Sequence, residues 1–411
     1  MAAGLGRRFW RFWGASFTSN LSDGIALIAL PWIATTVTDE AFWVGAVAAA
    51  GRLPWLIAAI PAGAVIDRHP RLPTMAAAAV VRAVLWGGLG ALALTGGLRL
   101  DVLLAAAFAL GLAEVCYDTA AVTAIPDLVP RARLEAANGQ FRTAEITAQE
   151  FLGRPVGGFA LTAGIAPALF GSAGICALVA VVLARLHKGE RREPPDPGER
   201  QSGWRRAGAG VAAIWASPLL RRLVGVTMAF NVAYATILAT QVLFAQQTLG
   251  LDAAQFGLLM LAAAAGGVVG GQVSGVLAAR LPAGWLPMAS LSATGCCFLV
   301  MAAAPVVPVV AAMLFVSSAC VLAYTVSASS LRQRVVPAHL LGRVNAAAGT
   351  ASWGLATVGM GAGGALVSLA QRRLAESDAL RLPYALTAAV ILVLVCVAGR
   401  PITRLSASAA D

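Results

Sequence analysis

Charged residues are scarce in this chain, and lysine and histidine are almost missing from it. Only 12% of the 411 residues are charged, whereas 59% are hydrophobic, and the mean hydropathy is +0.79. A soluble globular domain carries about 25% charged residues. This deficit excludes a water-soluble fold, because a chain of this size cannot bury so much apolar surface. The sequence therefore predicts an integral membrane protein.

Motifs for covalent or metal chemistry are also missing. No Ser-His-Asp set, H-E-x-x-H motif or G-x-x-x-x-G-K-S/T phosphate loop occurs, and the three histidines fall in predicted loops. The six cysteines lie in apolar runs without metal-ligand spacing, which favours packing as small hydrophobic residues. We therefore expect no metal, no cofactor and no direct use of ATP. A membrane enzyme and a purely structural or receptor protein are the less favoured alternatives.

Twelve apolar runs are present, each near the length of about 20 residues that a membrane-spanning helix needs. A polar, proline-rich segment divides them into two sets of six. This pattern predicts an all-α membrane protein with an N-terminal six-helix bundle (1–184), a cytoplasmic linker (185–217) and a C-terminal six-helix bundle (218–411). Only Pro or Gly separates some runs, so ten or eleven spans is the alternative. The runs are 12–36, 42–65, 74–96, 101–125, 138–160, 164–184, 219–247, 255–279, 285–304, 306–331, 344–370 and 383–399.

The distribution of Arg and Lys predicts the orientation. With the N-terminus inside, 22 of the 30 basic residues fall on inner segments and four on outer loops. Cytoplasmic loops of membrane proteins carry such an excess, so we expect both termini and the linker in the cytoplasm. The net charge of +11 then reflects loop topology, and no nucleic-acid partner is expected. The first apolar run has no convincing cleavage site, and we expect it to be retained.

Two stretches of the first half recur in the second. VPRARLEAANG (129–139) and VPAHLLGRVNAA (336–347) both place Asn eight positions after Pro, and a glycine pair follows 18 or 19 residues later. Six-plus-six repeats of this kind occur in transporters that hold substrate between two related halves. The repeat predicts pseudo-two-fold symmetry between the bundles.

The stretch PAGAVIDRHPRLPTM (61–75) carries a family resemblance. Its Gly63, Asp67, Arg68 and Arg71 resemble the G-x-x-x-D-R-x-x-R signature between spans two and three of Major Facilitator Superfamily transporters. Three more stretches resemble the proton-coupled multidrug, macrolide and siderophore exporters of that family. They are SNLSDGIALIALP (19–31), AIPDLVPRARLEAANG (124–139) and LGRPVGG (152–158).

The signature predicts a conformational latch made by Gly63, Asp67, Arg68 and Arg71. We expect Gly63 to allow close helix approach and Asp67 to meet helix amides or an arginine of the facing half in one of two states. The alternative is a basic turn that only anchors the topology. Two departures from the family pattern bear on coupling. The proline of the span-five motif is displaced by Arg154, and span four lacks the arginine often found in proton antiporters.

Charges inside predicted spans are confined to the first half. A charge at the bilayer centre costs about 2.5–3.5 kcal/mol on insertion scales and is usually functional. The spans of the second half carry no acid, and Arg221 and Arg222 are counted with the inner linker. We therefore expect the coupling machinery in the N-terminal bundle. The nine charges are Asp23, Arg52, Arg82, Glu114, Asp118, Arg142, Glu145, Glu150 and Arg154.

Five of these residues are the predicted proton-coupling set. Glu114 and Asp118 lie four residues apart on one helix face, where two carboxylates repel and one retains its proton. In the resembled family spans one and four line the central cavity, which adds Asp23. The alternative is structural pairing, as for Glu150 with Arg154, Arg142 with Glu145, or Arg82 with an acid. The set is Asp23, Glu114, Asp118, Glu150 and Arg154.

The predicted substrate cavity combines one arginine with uncharged residues of the second half, which suit an amphipathic organic molecule. Its residues are Arg52, Asn231, Tyr234, Gln241, Tyr324, Trp353 and Met360. Arg52 is either a counter-ion or a substrate anchor. The sequence favours a secondary active transporter in the cell membrane, expected as a monomer, that exports a drug, antibiotic or siderophore by proton antiport. An importer or facilitator of a small metabolite or sugar is the alternative.

Overall fold

The computed structural model describes residues 5–66, 69–187, 211–282, 284–336 and 338–407, and these residues form helices and turns without a β-strand. The first half begins with a long helix and ends with the sixth apolar run. Its helices are α1 (Gly6–Ala34), α2 (Ala41–Ile57), α3 (Ala59–Ile66), α4 (Arg71–Leu94), α5 (Leu100–Leu128), α6 (Leu134–Ile146), α7 (Arg154–Thr162) and α8 (Ile165–His187).

The second half follows a short helical stretch at 211–216. Ser217 caps the first of its helices by accepting a hydrogen bond from the Leu220 amide, with Pro218 at the first helical position. Asp252 and Gln255 form a reciprocal capping box at the start of the next helix. The helices are α9 (Pro218–Leu243), α10 (Ala253–Arg280), α11 (Trp285–Ala303), α12 (Val307–Val335), α13 (Ala338–Ala370), α14 (Glu376–Ala379) and α15 (Leu382–Ala407).

Every predicted apolar run coincides with helical residues, but three of the runs are not continuous α-helices. The seventh passes from α9 into a π-helical turn at Phe244–Thr248. The second is divided at Ala58 between α2 and α3. In the fifth, a π-helical turn at Thr147–Gly153 separates α6 from α7. The physical reason is Pro155, which has no amide hydrogen for the carbonyl one turn earlier, so the preceding turn widens.

Eight helices of the described residues are long and apolar enough to cross a membrane, and two shorter apolar helices lie at Ala41–Ile57 and Gly354–Ala370. The first predicted span is more polar because of its Ser, Thr and Asn residues and Asp23, whereas the fifth is interrupted and carries four ionised side chains. The chain is therefore a multi-pass membrane protein. Twelve crossings and two six-helix bundles stay predictions.

The chain divides into two compact units. The first unit comprises Met1–Val37 and Ala50–Gly203, and the second comprises Thr38–Ala49 and Trp204–Asp411. The prediction had placed residues 38–49 with the N-terminal bundle, whereas they group with the second unit. The reason is close packing at Gly45, where an added Cβ would lie 3.0 Å from the Cα of Gly364.

The helices pair in the same pattern within each unit. In the first, α4 packs against α5 and α8, α1 against α8 and the α6–α7 segment, and α3 against α5. In the second, α11 packs against α12 and α15, α9 against α15 and α13, and α10 against α12. Each pair in one unit has its counterpart, by order along the chain, in the other.

Glycines make the corresponding crossings close in both units. A Cβ on Gly111 would lie 2.0 Å from the Gly51 carbonyl oxygen, and one on Gly266 would lie 2.0 Å from that of Phe315. A Cβ on Gly24 would lie 2.3 Å from the Gln149 carbonyl oxygen. Small residues allow such backbone approach between membrane helices, so these positions hold the helix pairs together without large side chains.

The core of the first unit lies toward the end that carries the N-terminus. Phe9 and Phe12 of α1 are fully buried there, with Met75 of α4 and Tyr117 of α5. Phe12 stacks on Phe141 of α6 with ring centroids 5.8 Å apart. This packing fixes the rotation of α1, and so the direction in which its polar residues point.

Candidate functional site

Asp23 of α1 and Arg82 of α4 form a sealed ion pair within the first unit. Arg82 Nη2 donates to Asp23 Oδ1, and the two side chains are only 3% and 2% exposed. Arg82 Nη1 also donates to Ser19 Oγ at 2.9 Å. The second carboxylate oxygen of Asp23 has no hydrogen-bond partner among the described residues. Removing one member of such a pair leaves an uncompensated buried charge, which is strongly destabilising.

Arg52 of α2 and Glu114 of α5 form a second ion pair in the same unit. Arg52 Nη1 donates to Glu114 Oε1 at 3.0 Å, and the side chains are 11% and 14% exposed. Gln149 Nε2 lies 3.5 Å from the same oxygen. Helices α2 and α5 can approach this closely because Gly51 and Gly111 meet beside the pair. Unlike the sealed pair, this carboxylate keeps some solvent access.

Asp118 lies one helical turn from Glu114 on α5 and is half-buried. It makes no ion pair or side-chain hydrogen bond within the part of the chain that the structure describes. Asp23 interacts electrostatically with Glu114, Arg52 and Arg82. We therefore call Asp23, Arg52, Arg82, Glu114 and Asp118 the charge cluster. It contains three carboxylates against two guanidinium groups, so one carboxylate has no cation of its own within it.

The π-helical turn places a third pair beside this cluster. Glu150 Oε2 and Arg154 Nη2 are 2.7 Å apart, as the spacing of four residues predicted. The same turn aims Gln149 at Glu114. Arg142 and Glu145 pair one turn earlier, where the arginine side chain is 61% exposed. Wide turns of this kind often occur at functional sites, and here one supplies a neutral donor to the partly exposed carboxylate of Glu114.

The predicted latch is described only in part, because Asp67 and Arg68 lie outside the described residues. Arg71 forms an ion pair with Asp127, at the end of α5, and both side chains are largely exposed. Exposed pairs of this kind contribute about 0–1 kcal/mol. The expected close approach at Gly63 is not present, since an added Cβ would meet nothing nearer than Thr119 Cγ2 at 4.0 Å. Neighbouring helices are simply too far from Gly63 for a small residue to be needed.

The uncharged candidates of the second unit differ in accessibility. Tyr324 is 2% exposed, and its hydroxyl shares a 2.6 Å hydrogen bond with Thr227. Met360 is buried in a small apolar cluster with Ala235 and Ala239. Asn231, Tyr234 and Gln241 are half-buried along α9. The side chain of Trp353 lies outside the described residues.

Tyr234 belongs to an aromatic cluster that the sequence analysis did not identify. Its ring stacks on Phe230 with centroids 5.7 Å apart and on Phe298 at 5.9 Å. Tyr384 joins through Phe298 and Phe244. Stacked aromatic side chains add stability beyond area burial. Phe230, Phe298, Tyr384 and Phe244 are buried, so the cluster packs the interior of the second unit around α9.

Sequence reasoning also missed the partners within the charge cluster. It treated Arg82 as a structural residue without naming Asp23, and it left the partner of Arg52 open. Gln149 was not a candidate, although the displaced Pro155 signalled irregular backbone just after it. No group of three or more His, Cys, Asp or Glu residues suited to a metal occurs in the described part of the chain.

The charge cluster brings carboxylates and guanidinium groups together on neighbouring helices. A carboxylate that alternates between pairing with an arginine and carrying a proton changes the local charge by one. That change alters the attraction between the helices that carry the two partners. An ionisable side chain within a membrane-spanning segment is a candidate functional residue by default.

Comparison with known proteins identifies a family and several similar proteins. Residues 12–360 match the family model of the Major Facilitator Superfamily. The multidrug efflux pump Tap of Mycolicibacterium fortuitum is 25% identical over 392 residues, covering 92% of this chain and 94% of that protein.

Solved structures show the same fold. A bacterial homologue of the human lysosomal transporter Spinster, in an inward-facing and occupied conformation, has a TM-score of 0.75 at 14% identity, covering 98% of this chain and 96% of that one. The nucleoside transporter NupG (D323A mutant) has a TM-score of 0.73 at 12% identity, covering 95% and 98%. The family match spans most of the sequence, so this chain belongs to the Major Facilitator Superfamily of transporters.

Proposed function

We propose that the protein is a proton-coupled exporter of small amphipathic or hydrophobic organic molecules, such as a drug, an antibiotic or a siderophore. The observation that carries the proposal is the partly accessible ion pair between Arg52 and Glu114, next to a sealed pair in the same unit. The similarity to multidrug efflux pump Tap supports export of drug-like molecules. Transport proceeds by alternating access, without covalent chemistry.

Glu114 is the proposed proton site. When it is ionised, it is paired with Arg52 at 3.0 Å, and α2 is held to α5. When it takes a proton, the arginine loses its anionic partner, and the attraction between the helices weakens. A proton entering from outside and leaving inside converts the ion gradient into an alternation between these two arrangements. Asp118, one turn away, offers a second carboxylate to receive the proton.

The sealed pair has a different proposed role. Asp23 and Arg82 have almost no exposure and hold α1 to α4 in both states. Glu150 and Arg154 neutralise each other beside the π-helical turn. This division reduces the predicted proton-coupling set from five residues to two. Glu114 and Asp118 exchange the proton, whereas Asp23, Glu150 and Arg154 keep the helices in register.

The proposed substrate contacts lie along α9. Asn231, Tyr234 and Gln241 are half-buried, so they combine hydrogen-bonding groups with an aromatic face. Tyr324 and Met360 are buried, and their proposed role is to pack within the unit. Such a lining accepts greasy molecules of several shapes, because aromatic contacts need no fixed hydrogen-bond pattern.

Everted membrane vesicles from cells lacking their own drug pumps test the proposal. With a pH gradient imposed, wild-type vesicles should accumulate a fluorescent cationic dye, and a protonophore should abolish accumulation. Glu114→Gln should remove uphill accumulation but leave downhill exchange. Glu145→Gln is the matched control, because it removes a carboxylate of the same helical bundle that pairs with an exposed arginine. Uphill accumulation unchanged in Glu114→Gln would refute this proton site.

An importer or facilitator is the second candidate, since the fold is shared with the nucleoside transporter NupG. Right-side-out vesicles separate the two directions. An exporter accumulates the dye only in everted vesicles, whereas an importer accumulates its substrate in right-side-out ones. We also propose that the protein is a monomer in the cell membrane with both termini in the cytoplasm. Reporter fusions at the C-terminus and light scattering in detergent would check this.

A further inference from the structure

A basic pocket opens in the second unit, at the end of its helices that carries the linker and the C-terminal residues. It lies between the start of α9 and the end of α15 and has a volume of about 490 Å³. Three of its lining residues are arginines, and the others are apolar or nearly so. The lining is Arg222, Cys396, Val397, Arg400, Pro401 and Arg404.

The arginines of this basic pocket have no acidic partner among the described residues. Arg222, Arg400 and Arg404 are exposed, and none of them forms an ion pair there. The described acids of the second unit lie at the opposite ends of its helices. Asp39 and Glu40 precede α2, and Asp252 precedes α10. Glu376 and Asp378 lie within α14, just before α15. Three like charges around one cavity repel, and a bound anion would relieve that repulsion.

The walls of the basic pocket indicate what kind of anion fits. Val397 is 71% exposed, and Cys396 beside it is also exposed, so the upper wall is apolar surface on a membrane-spanning helix. Below it, Arg400 and Arg404 lie one turn apart on the same face of α15. An anion in this place meets guanidinium groups at one end and hydrocarbon at the other.

A neighbouring aromatic residue marks the depth of the basic pocket. Trp215 is 64% exposed, and Arg221 of α9 lies over its ring at 5.6 Å from the centroid. Exposed tryptophans concentrate at the level of lipid headgroups, and the adjacent guanidinium is held by a cation–π contact. Arg222 is the next residue along α9. The pocket is therefore at headgroup depth, where both water and lipid reach it.

We infer that the basic pocket binds the headgroup of an anionic phospholipid. The guanidinium forks of Arg222, Arg400 and Arg404 surround the phosphate group, since arginine pairs with phosphate in a bidentate manner. One acyl chain then lies along Val397. Basic pockets between membrane helices are suited to such headgroups. A free phosphate ion would use the arginines but gain nothing from the apolar wall, which is why a lipid is the better occupant.

Lipid binding to the purified full chain tests this inference. Delipidated protein in detergent is titrated with phosphatidylglycerol or phosphatidylcholine, and bound lipid is counted by native mass spectrometry. The wild type should retain phosphatidylglycerol in preference to phosphatidylcholine. Arg400→Gln with Arg404→Gln should weaken phosphatidylglycerol binding about tenfold or more, because two attractive charges near the headgroup are lost. Arg222→Gln alone, on a different helix, should weaken it by a smaller factor.

The matched control is Arg372→Gln with Arg373→Gln, which removes two exposed arginines from the opposite end of the unit. The control should bind phosphatidylglycerol like the wild type. Unfolding midpoints without added lipid establish that each variant is folded. Equal binding by the wild type and the Arg400/Arg404 variant, or an equal loss in the control, would overturn the inference. Thermal stabilisation by inorganic phosphate equal to that by phosphatidylglycerol would also overturn it, by making this a site for soluble anions.

Discussion

The two units of this transporter share a scaffold but differ in chemistry. Both pair their helices in the same pattern, and both use glycines to bring the same pairs into backbone contact, as at Gly111 and Gly266. Among the described residues, only the first unit carries ion pairs inside its spanning helices. The second instead presents an aromatic cluster around Tyr234. The same packing therefore does not require the same chemistry, since one copy carries the ion pairs and the other the aromatic cluster.

The largest expected effect comes from breaking the sealed pair. Arg82→Met leaves Asp23 buried without a cation, and this should lower the free energy of unfolding by about 3–5 kcal/mol. Denaturation of the purified protein in detergent measures it. Combining Arg82→Met with Asp23→Leu should recover most of the loss. Arg142→Gln breaks an exposed pair of the same unit and should cost less than about 1 kcal/mol. If the double variant lost as much free energy of unfolding as Arg82→Met, the two side chains would contribute to stability by more than neutralising each other's charge.

Glycine crossings test whether the two scaffolds are equivalent. Gly111→Ala and Gly266→Ala each force a Cβ into a backbone carbonyl oxygen, 2.0 Å away in the present structure. Each should destabilise by about 1–3 kcal/mol, the usual cost of overpacking. Gly88→Ala and Gly275→Ala are the controls, since nothing lies within 4 Å of either added Cβ. A loss of stability in one unit but not in the other would show that the two scaffolds are not equivalent.

Substitutions of Arg52 test whether the accessible pair takes part in proton coupling or in substrate binding. If it is the counter-ion of Glu114, Arg52→Gln should slow proton-driven dye accumulation about tenfold, which corresponds to about 1.4 kcal/mol. Arg52→Lys, which keeps the charge, should restore most of that rate. The loss should be the same for cationic and neutral substrates. A loss that depends on substrate charge would instead make Arg52 a substrate anchor.

The smallest expected effect lies in the second unit. Tyr324→Phe removes the hydroxyl that shares a 2.6 Å hydrogen bond with Thr227. Such a bond contributes about 0.5–1.5 kcal/mol to stability, and the KM for the dye should change less than twofold. Thermal unfolding and transport rates check both parts. A large rise in KM would mean that this hydroxyl contacts substrate, contrary to its burial.

Much of the fold could be predicted because the bilayer imposes a simple rule. Apolar runs of sufficient length coincide with helices throughout the described residues, and most of the basic residues lie at one end of the predicted spans. The i,i+4 pair of Glu150 and Arg154 was also predictable, because its geometry belongs to a single helix. The signature around Asp67 predicted the superfamily, which the family match confirms. The role of that signature as a latch stays a prediction.

The candidate site was only half predictable. The charged residues stand out in apolar runs, but their partners are far away along the chain: Asp23 pairs with Arg82, and Arg52 with Glu114. Which side chains meet depends on how each helix is rotated about its axis. The glycine contacts at Gly24 and Gly111 set that rotation, and composition does not reveal it. The close helix approach expected at Gly63 is absent for the same reason, because the sequence does not show where another backbone comes near a glycine.

The sequence by itself determined that this protein lives in a membrane, which segments are helical and which half carries the charges. Each of these follows from the cost of placing polar groups in hydrocarbon, a local property of each segment. Only the tertiary structure decided that one ion pair is sealed and the other accessible. It also decided that two helices far apart along the chain line one pocket with arginines that have no acidic partner among the described residues. Exposure and pairing depend on how helices pack against each other, and that packing is a property of many residues together.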